Sequence, residues 1–378
     1  MQDRPTGGNA AVLVSLDLGG PDYKESLQEL RQLVASAGIE VRDTVEGRRA
    51  KPDAKYFLGS GKAEELAATV RATQASVAVF NHDLTPSQQR NLERLLECRV
   101  ADRTGLILDI FAQRAQSHEG KLQVELAQLE HLSTRLVRGW THLERQKGGI
   151  GVRGGPGETQ LELDRRMLRV RVKQLREKLD KLKQQRSMQR RSRKRSHVMS
   201  VSLVGYTNAG KSTLFNRLTQ SNVYEADQLF ATLDTTSRKL HIPDAGPIVL
   251  SDTVGFIKHL PHALVEAFGA TLEEAVQADL LLHVVDASST VRDDQIMQVS
   301  EVLEEIGASQ VPQVLVLNQI DKLGLEPGLE RDEYGRINKI RISARTGEGL
   351  DLIKQVLVEH QHQIAEHSPV LPVSHAHV

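Results

Sequence analysis

Short apolar runs alternate with amphipathic segments along the first 115 residues of the chain. Apolar runs of this kind are typical of strands, and apolar positions three or four residues apart are typical of helices. Strands are therefore predicted at 11–18, 39–45 and 76–83, and helices at 23–38, where Gly38 ends the helix, and at 86–97. The alternation favours an N-terminal α/β subdomain, residues 1–115, built on a small parallel sheet.

The spacing of apolar residues changes to seven over residues 116–196. Such heptads are typical of helices that pack along a common seam. The first series is Leu122, Leu129, Leu136 and Leu143 with Leu126 and Trp140 between them; the second is Leu161, Leu168, Leu175 and Leu182 with Val172 and Leu179. Because the chain must turn back for the two helices to meet, we predict a long antiparallel helical hairpin. Thr159 and Glu162 form a capping box that is predicted to start the second helix.

The connection between these helices, residues 147–160, contains six glycines. A helical hairpin needs only about two to five connecting residues, so this loop is longer than the turn requires. A flexible linker is one interpretation. We favour a functional loop at the tip of the hairpin, with Arg153 at its centre, because long loops in compact proteins tend to carry function.

Charge is balanced over the whole chain, with 49 Lys and Arg and 49 Asp and Glu, but it is unevenly distributed. Asp164 to His197 holds 15 basic and three acidic residues. A charge run is often only a solvated helix face. A basic helix beside a Gly-rich tip favours contact with the phosphate backbone of structured RNA. Aromatic residues make up 3% of the chain, which argues against a stacking platform for single-stranded bases.

Several classes of protein are disfavoured by the rest of the composition. The single cysteine, Cys98, cannot form an internal disulfide, and the first residues lack the pattern of a secretory signal. No apolar run approaches the roughly 18 residues of a membrane-spanning helix. The histidines are scattered without a cysteine pair, so we expect no zinc site. These features indicate a cytoplasmic protein without integral membrane association.

The second α/β region, residues 197–365, contains a phosphate-binding loop. The apolar run HVMSVSLVG leads directly into Gly205 to Ser212, which matches GxxxxGK[ST] in its strand–loop–helix context. We expect main-chain N–H groups and the helix N-terminus to face the phosphates. Lys211 is predicted to bridge the β- and γ-phosphates, and Ser212 to bind Mg²⁺. GSGK at residues 59–62 lacks the first glycine of the motif and is interpreted as a strand–helix turn.

The base of the nucleotide is predicted from a motif after a later apolar strand. Asn318 and Asp321 have the NxxD spacing that places a carboxylate against N1–H and the exocyclic amine of guanine. Adenine lacks both donors, so it would leave the carboxylate unpaired at a cost of several kcal/mol. Ser343 to Arg345 offers a further backbone contact to the guanine oxygen. The sequence therefore predicts GTP.

Two segments between these motifs are predicted to hold Mg²⁺ and the γ-phosphate. DTVGF, Asp252 to Phe256, is expected to bind Mg²⁺ through water at Asp252 and the γ-phosphate through the N–H of Gly255. In the preceding segment LFATLDTT, Thr232 is the preferred second Mg²⁺ ligand, with Thr235 and Thr236 as alternatives. Phe256 occupies the position where Ras-like enzymes have a glutamine that orients water. Intrinsic hydrolysis is therefore expected to be slow until a partner completes the site.

Taken together, these motifs resemble the HflX family of translational GTPases, in the Obg–HflX branch of P-loop GTPases. The resemblance rests on YFLGSGKAEEL (56–66), GGIGVRGGPGETQLELDRR (148–166), GYTNAGKST, LFATLD, DTVGF and SAR, and spans nearly the whole chain. It implies an α/β fold in three parts, namely the N-terminal subdomain, the helical hairpin and a Ras-like GTPase domain, followed by a tail at 366–378. It also implies binding to rRNA of the large (50S) ribosomal subunit, with the hairpin loop near the peptidyl transferase region, and the separation or rescue of stalled ribosomes.

The resemblance further assigns the site. Lys211, Thr232 and Gly255 are the expected catalytic residues, and Ser212 and Thr232 the expected Mg²⁺ ligands. The residues expected to contact GTP or GDP are Gly205, Tyr206, Thr207, Asn208, Ala209, Gly210, Lys211, Ser212, Thr213, Phe230, Ala231, Thr232, Leu233, Asp234, Asp252, Thr253, Val254, Gly255, Asn318, Gln319, Ile320, Asp321, Ser343, Ala344 and Arg345.

Two positions depart from the family pattern. Gln319 replaces the lysine of NKxD, whose stem covers the base and whose ammonium reaches the phosphate-binding loop. Guanine selectivity should persist through Asp321, whereas affinity should be weaker, so Gln319→Lys is predicted to tighten GDP binding; unchanged or weaker binding would argue against this interpretation. LDTT also stands where the family has LDPT, which affects the rigidity of this segment.

A ribosome-stimulated GTPase is the preferred hypothesis, and we expect a monomer that does not bind DNA. The second is a GTP-regulated switch for a protein or membrane partner, in which the helices form a dimerisation coiled coil. A concentration-dependent dimer would favour it. The third is an RNA-remodelling ATPase in the N-terminal subdomain, where the sequence has no complete phosphate-binding loop. ATP hydrolysis that survives Lys211→Ala would favour the third.

Overall fold

The computed structural model describes residues 10–20, 22–138, 156–195, 198–220, 229–230, 232–258 and 269–367. These residues fall into two compact units. The first contains the chain up to Lys183 together with Leu229 and Phe230, and the second contains the other described residues from Gln184 onward. Some residues singled out in the sequence lie outside this description, namely Trp140, Leu143, Arg153 and the tail beyond His367. For three others, Leu136, Thr159 and Leu161, the backbone is described but the side chain is not.

The first unit contains the parallel sheet that the apolar pattern predicted. Its strands are β1 (Ala10–Asp17), β2 (Glu40–Arg48), β3 (Val77–Phe80) and β4 (Arg99–Ala101), and its helices are α1 (Tyr23–Ser36), α2 (Ser60–Thr73), α3 (Pro86–Leu96) and α4 (Arg103–Arg114). The strand order is β2-β1-β3-β4, and every pairing is parallel. Apolar residues on one face, including Val12, Val14 and Phe80, form a continuous core with α2 and α3.

Two elements of this unit, β4 and α4, had no predicted counterpart, and α2 was implied only by the interpretation of GSGK. Helix α2 begins directly after Gly59, which agrees with the interpretation of GSGK as a turn into a helix. The strand half of that interpretation is wrong. Residues before Gly59 form only isolated bridges, Asp53 with Phe57 and Tyr56 with Leu58, because the Asp53 carboxylate accepts the N–H groups of Lys55 and Tyr56 and closes a turn.

The middle region is helical, as the heptads predicted. Helix α5 is His118–Arg138 and helix α6 is Pro156–Arg195. Leu122, Leu126 and Leu175 are buried together, with Leu129, Val172, Leu179 and Leu182 packed around them. Ion pairs from Arg171 to Glu125 (2.6 Å) and from Arg176 to Glu130 (2.7 Å) join the two helices beside this seam. The antiparallel direction and the loop at the tip stay predictions.

The capping box predicted at Thr159 is wrong. Helix α6 begins at Pro156, so Thr159 lies inside its first turn rather than at its N-cap. Proline is favoured at the first helical position because its missing N–H has no intrahelical acceptor there and its φ is already helical. The helix therefore begins at the proline, three residues before the threonine.

The second unit is a seven-stranded sheet flanked by helices. Its strands are β5 (Met199–Val204), β6 (Thr236–Ile242), β7 (Gly246–Asp252), β8 (Leu280–Asp286), β9 (Gln313–Asn318), β10 (Gly328–Arg331) and β11 (Ile337–Arg341), and its helices are α7 (Lys211–Thr219), α8 (Gly269–Val276), α9 (Arg292–Glu305) and α10 (Leu350–His367). The order is β10-β11-β9-β8-β5-β7-β6, with antiparallel pairing only between β6 and β7 and between β10 and β11 among these strands. Because β5, β8 and β9 are parallel, their carboxyl ends meet at one edge, where α/β sheets bind ligands.

Within the described ranges, we find no helix whose length and hydropathy would allow it to cross a membrane.

Candidate nucleotide-binding site

The phosphate-binding loop connects the end of β5 to the start of α7. Its first and last glycines are both required by geometry. Gly205 has φ 147°, and a Cβ there would lie 2.1 Å from the carbonyl oxygen of Val284 on the neighbouring strand. Gly210 has φ 89°, and a Cβ there would lie 2.3 Å from the Asn318 amide nitrogen. The loop is therefore packed against β8 and β9 so closely that only glycine fits at these two positions.

Lys211 is the first residue of α7, and its ammonium is buried inside the loop. Nζ donates to the carbonyl oxygens of Gly205 (3.0 Å) and Tyr206 (2.7 Å). Burial lowers the pKa of Lys211 to about 8, and the nearby Asp252 carboxylate opposes this shift. A buried cation that is hydrogen-bonded only to neutral carbonyls is stabilised when an anion binds beside it. Lys211 is thus placed to bind phosphate.

Three oxygen-bearing side chains converge beside Lys211. Ser212 Oγ lies 2.7 Å from Thr232 Oγ1 and 2.8 Å from Asp252 Oδ2, and Thr232 Oγ1 lies 3.0 Å from Asp252 Oδ2. The second Asp252 oxygen, Oδ1, is buried and has no hydrogen-bond partner among the described residues. Burial raises the pKa of Asp252, while Lys211 and the two hydroxyls oppose this shift.

This group fits a magnesium ion. Mg²⁺ prefers oxygen ligands and keeps several of its waters, and a water on the ion would satisfy the unpaired Asp252 oxygen. Thr232, the threonine preferred from the sequence, has its hydroxyl within hydrogen-bond distance of Ser212 and Asp252. Thr236 instead begins β6 and pairs with the backbone of Asp252.

The DTVGF segment runs alongside the phosphate-binding loop. Thr207 N–H donates to the carbonyl oxygen of Phe256 (2.8 Å), and Phe256 N–H donates to the carbonyl oxygen of Gly205 (3.1 Å). Gly255 lies so close that a Cβ there would be 3.1 Å from Lys211 Nζ. The Phe256 ring is 1% exposed. Phe256 is thus held to the phosphate-binding loop by backbone pairing, and its buried ring stands where Ras-like enzymes have a polar side chain.

The residues that the sequence predicts to read guanine meet at the carboxyl end of β9. Asp321 lies in a short 3₁₀ turn, Ile320–Lys322, and its Oδ1 accepts from Ser343 Oγ (2.7 Å). Asn318 is 2% exposed and uses its side chain within the protein. Its Nδ2 donates to the Ala209 carbonyl (2.9 Å), and its Oδ1 accepts from Ala344 N–H (2.9 Å). Asn318 therefore ties the phosphate-binding loop to the SAR segment, and the base-reading role of Asp321 stays a prediction.

Gln319 makes a contact with the phosphate-binding loop that the sequence does not predict. Its Nε2 donates to the carbonyl oxygen of Asn208 in the phosphate-binding loop (3.0 Å), while its backbone adopts a left-handed conformation (φ 66°). A glutamine amide thus reaches the loop that the lysine ammonium of NKxD was expected to reach. The remaining difference is the missing positive charge.

Other residues of the predicted site have structural roles. Thr253 Oγ1 donates to the Leu203 carbonyl (2.7 Å) and joins β7 to β5. The Arg345 carbonyl accepts from the Arg217 guanidinium (2.6 Å), and the Tyr206 hydroxyl accepts from Lys258 N–H (2.9 Å). Leu233, Val254 and Ile320 are buried, Thr213 and Asp234 are half-buried, and Ala231 lies outside the described residues.

Phe230, whose contact with the nucleotide stays a prediction, has its ring buried in the first unit. It meets the ring of Phe111 edge-on, with centroids 4.6 Å apart. Burial of the ring against an aromatic partner removes far more apolar surface from water than an exposed stacking position would. Neither this contact nor the bridging role of Asn318 had a signal in the sequence, because Phe111 and Ala209 lie more than a hundred positions from their partners.

Comparison with known proteins follows the same three-part division. The family described as "GTP-binding GTPase N-terminal" matches residues 24–112, "GTP-binding GTPase Middle Region" matches 114–193, and "50S ribosome-binding GTPase" matches 200–319.

Full-length relatives decide the family. GTPase HflX of Escherichia coli (strain K12) is 58% identical over 374 residues, which cover 98% of this chain and 88% of the relative. The chain belongs to the HflX family. GTPase HflX of Magnetococcus marinus is 50% identical over 351 residues, which cover 92% of this chain and 81% of that relative. The resemblance drawn from the motifs is confirmed.

A solved structure supports the same conclusion for the fold. The chain in the solved structure titled "crystal structure of SsGBP and GDP complex" is 26% identical in sequence to this chain. The two superpose with a TM-score of 0.53, over 95% of this chain and 100% of the solved chain. The predicted α/β fold with a C-terminal GTPase domain is confirmed. This HflX-family chain is a GTPase with a P-loop fold.

Proposed function

We propose that this HflX-family GTPase hydrolyses GTP to GDP and phosphate on the large (50S) ribosomal subunit, which stimulates it. We propose that it acts in ribosome splitting, in rescue under stress or in ribosome biogenesis. The observation that carries the proposal is the buried Phe256 ring, which directly follows Gly255 beside Lys211 and the group formed by Ser212, Thr232 and Asp252. Phenylalanine cannot orient the attacking water, so turnover should depend on a partner that supplies or orders the missing group.

Large-subunit RNA is the partner that we infer. The matched family description, "50S ribosome-binding GTPase", supports this choice. Exposed basic side chains also lie along the length of α6, namely Arg166, Arg169, Lys173, Lys178, Lys181 and Lys183. Contacts between such side chains and phosphates release counterions, so they bind polyanions without reading sequence. The charge of α6 thus fits a folded RNA surface.

The same proposal includes Mg²⁺ as the cofactor and a division of the chain into three domains. Ser212 and Thr232 would bind Mg²⁺ directly and Asp252 through water, while Lys211 and Gly255 would contact the phosphates. The ion would neutralise charge on the transferred phosphoryl group. We propose a monomer of three domains, residues 1–115, 116–196 and 197–365, which works in the cytoplasm without DNA or membrane insertion.

Co-sedimentation with isolated large subunits, small subunits and 70S particles tests this proposal. Each mixture is examined with GDP and with a non-hydrolysable GTP analogue, at low and at physiological salt. We expect binding to large subunits that the GTP analogue favours and that weakens as salt rises, because phosphate contacts carry part of the affinity. Absence of binding under every nucleotide at low salt would contradict the proposal and favour a guanine switch with another partner.

A matched pair of variants tests the role of α6. Replacing Lys173, Lys178 and Lys181 with glutamine should weaken large-subunit binding at least about tenfold and reduce its dependence on salt. The control replaces Arg238, Lys239 and Lys354, which are exposed on the second unit, and should leave binding unchanged. Equal effects of the two triple variants would show that only net charge matters.

A further inference from the structure

Thr207 lies in the phosphate-binding loop, and its side chain is buried. The residue is 7% exposed, and its Oγ1 has no hydrogen-bond partner among the described residues. Buried polar atoms in folded proteins are nearly always hydrogen-bonded, so an unpaired one needs an explanation. An unpaired buried hydroxyl also disfavours folding. A ligand that accepts a hydrogen bond from the Thr207 hydroxyl would remove this cost.

The surroundings of Thr207 are the two residues that are proposed to contact the phosphates, Lys211 and Gly255. A Cβ at Gly255 would lie 2.9 Å from Thr207 Cγ2 and 3.1 Å from Lys211 Nζ. The Gly255 backbone therefore lies against both side chains. The Thr207 N–H donates to the Phe256 carbonyl (2.8 Å), which holds Thr207 to the DTVGF segment. The Thr207 side chain is thus fixed next to the expected position of the phosphates.

A γ-phosphate oxygen is the acceptor that suits this hydroxyl. Hydrogen bonds from a hydroxyl to an anionic oxygen are short and about twice as strong as those between neutral groups. Lys211 is predicted to bridge the β- and γ-phosphates, and the Gly255 N–H to donate to the γ-phosphate. Thr207 lies beside both of them and carries the unpaired donor. GDP has no γ-phosphate, so it leaves this donor unpaired.

We propose that Thr207 is a specificity-determining residue for the triphosphate: its hydroxyl donates a hydrogen bond to a γ-phosphate oxygen of GTP and has no acceptor when GDP is bound. This inference rests on the proposed function, in which Lys211 and Gly255 contact the phosphates. The hydroxyl therefore raises affinity for GTP and leaves affinity for GDP unchanged. A role in packing alone would need only the shape of the side chain, which valine keeps.

The test compares Thr207→Val, which removes the hydroxyl, and Thr207→Ser, which keeps it, with the unmodified chain, without ribosomes. Affinities for a fluorescent, non-hydrolysable GTP analogue and for the matching GDP derivative are measured. For Thr207→Val, we expect affinity for the GTP analogue to fall about tenfold and affinity for GDP to stay within about twofold, because one hydrogen bond to a charged group is lost. Thr207→Ser should keep both affinities within about twofold. The thermal midpoint of nucleotide-free Thr207→Val should not fall, because valine leaves no unpaired hydroxyl.

The control is Thr219→Val, which removes a threonine hydroxyl at the other end of α7, one that donates to the Phe215 carbonyl at 2.7 Å. Its nucleotide affinities should match those of the unmodified chain even if its thermal midpoint falls. Equal losses of GTP and GDP affinity in Thr207→Val, no loss of GTP affinity, or a loss in Thr207→Ser as large as that in Thr207→Val would overturn the inference while the proposed function stood. An unmodified chain that binds neither nucleotide would instead refute the proposed function.

Discussion

Replacing Lys211 with alanine is expected to lower kcat/KM for GTP by about a hundredfold to a thousandfold, the usual cost of removing a preorganised charge-stabilising donor. Lys211 is 6% exposed and its ammonium donates to two loop carbonyls, so the position of the ammonium is set before nucleotide arrives. No other described side chain of the loop carries a positive charge. The β- and γ-phosphates would therefore lose their main cationic contact.

Turnover and nucleotide affinity of the purified variant measure this effect, with circular dichroism to verify folding. The matched control is Lys239→Ala, since Lys239 is exposed on β6 and should leave both quantities unchanged. The thermal midpoint of the Lys211 variant should not fall, because burial of the ammonium disfavours the folded state. GTP hydrolysis at the normal rate would contradict the assigned role. ATP hydrolysis that survives the change would point to an ATPase centre in the first unit.

Replacing Asp321 with asparagine is expected to weaken GTP and GDP binding about a hundredfold and to create affinity for xanthosine nucleotides. A carboxylate accepts hydrogen bonds from both N1–H and the 2-amino group of guanine, whereas an amide cannot accept both. Xanthine has an oxygen in place of the 2-amino group, so the amide N–H has an acceptor. A site built to hydrogen-bond a particular polar group of its ligand binds a ligand without that group about a hundredfold more weakly, or weaker still.

Competition binding with GDP, xanthosine diphosphate and ADP measures this change of preference. Ser343 Oγ orients Asp321 Oδ1, and an amide oxygen can accept the same hydrogen bond, so the local geometry should persist. Asp294→Asn is the matched control, because Asp294 is an exposed carboxylate at the start of α9. If the Asp321 variant kept its preference for GDP, the carboxylate would not be the group that reads the base.

The sequence predicts local features of this molecule well, because periodicity reports burial. The apolar run at 76–83 contains β3, the helical pattern at 86–97 contains α3, and the heptad leucines Leu122, Leu126 and Leu175 meet in one buried cluster. The phosphate-binding loop could be placed because its glycines, lysine and serine are consecutive. The residues that determine β3, α3 and the phosphate-binding loop lie within a few turns of chain, and the heptads report burial along each helix separately.

Features that depend on distant contacts could not be predicted. Asn318 was expected at the nucleotide, and its amide joins Ala209 to Ala344. Phe230 was assigned to the nucleotide, and its ring packs against Phe111. The start of α6 shows that helix boundaries are also hard to predict from sequence. Pro156 and the capping box at Thr159 are both valid helix-start signals, and the folded chain begins the helix at Pro156.

The most direct test of a partner-dependent site is the GTP turnover rate of the purified chain, measured alone and with isolated large or small ribosomal subunits. The buried Phe256 predicts slow turnover alone and at least about a tenfold increase in kcat with large subunits, and no increase with small subunits. The Lys211→Ala chain should remain inactive in every mixture, which excludes GTPases carried by the subunits. Equal turnover with and without large subunits would contradict a ribosome-stimulated GTPase.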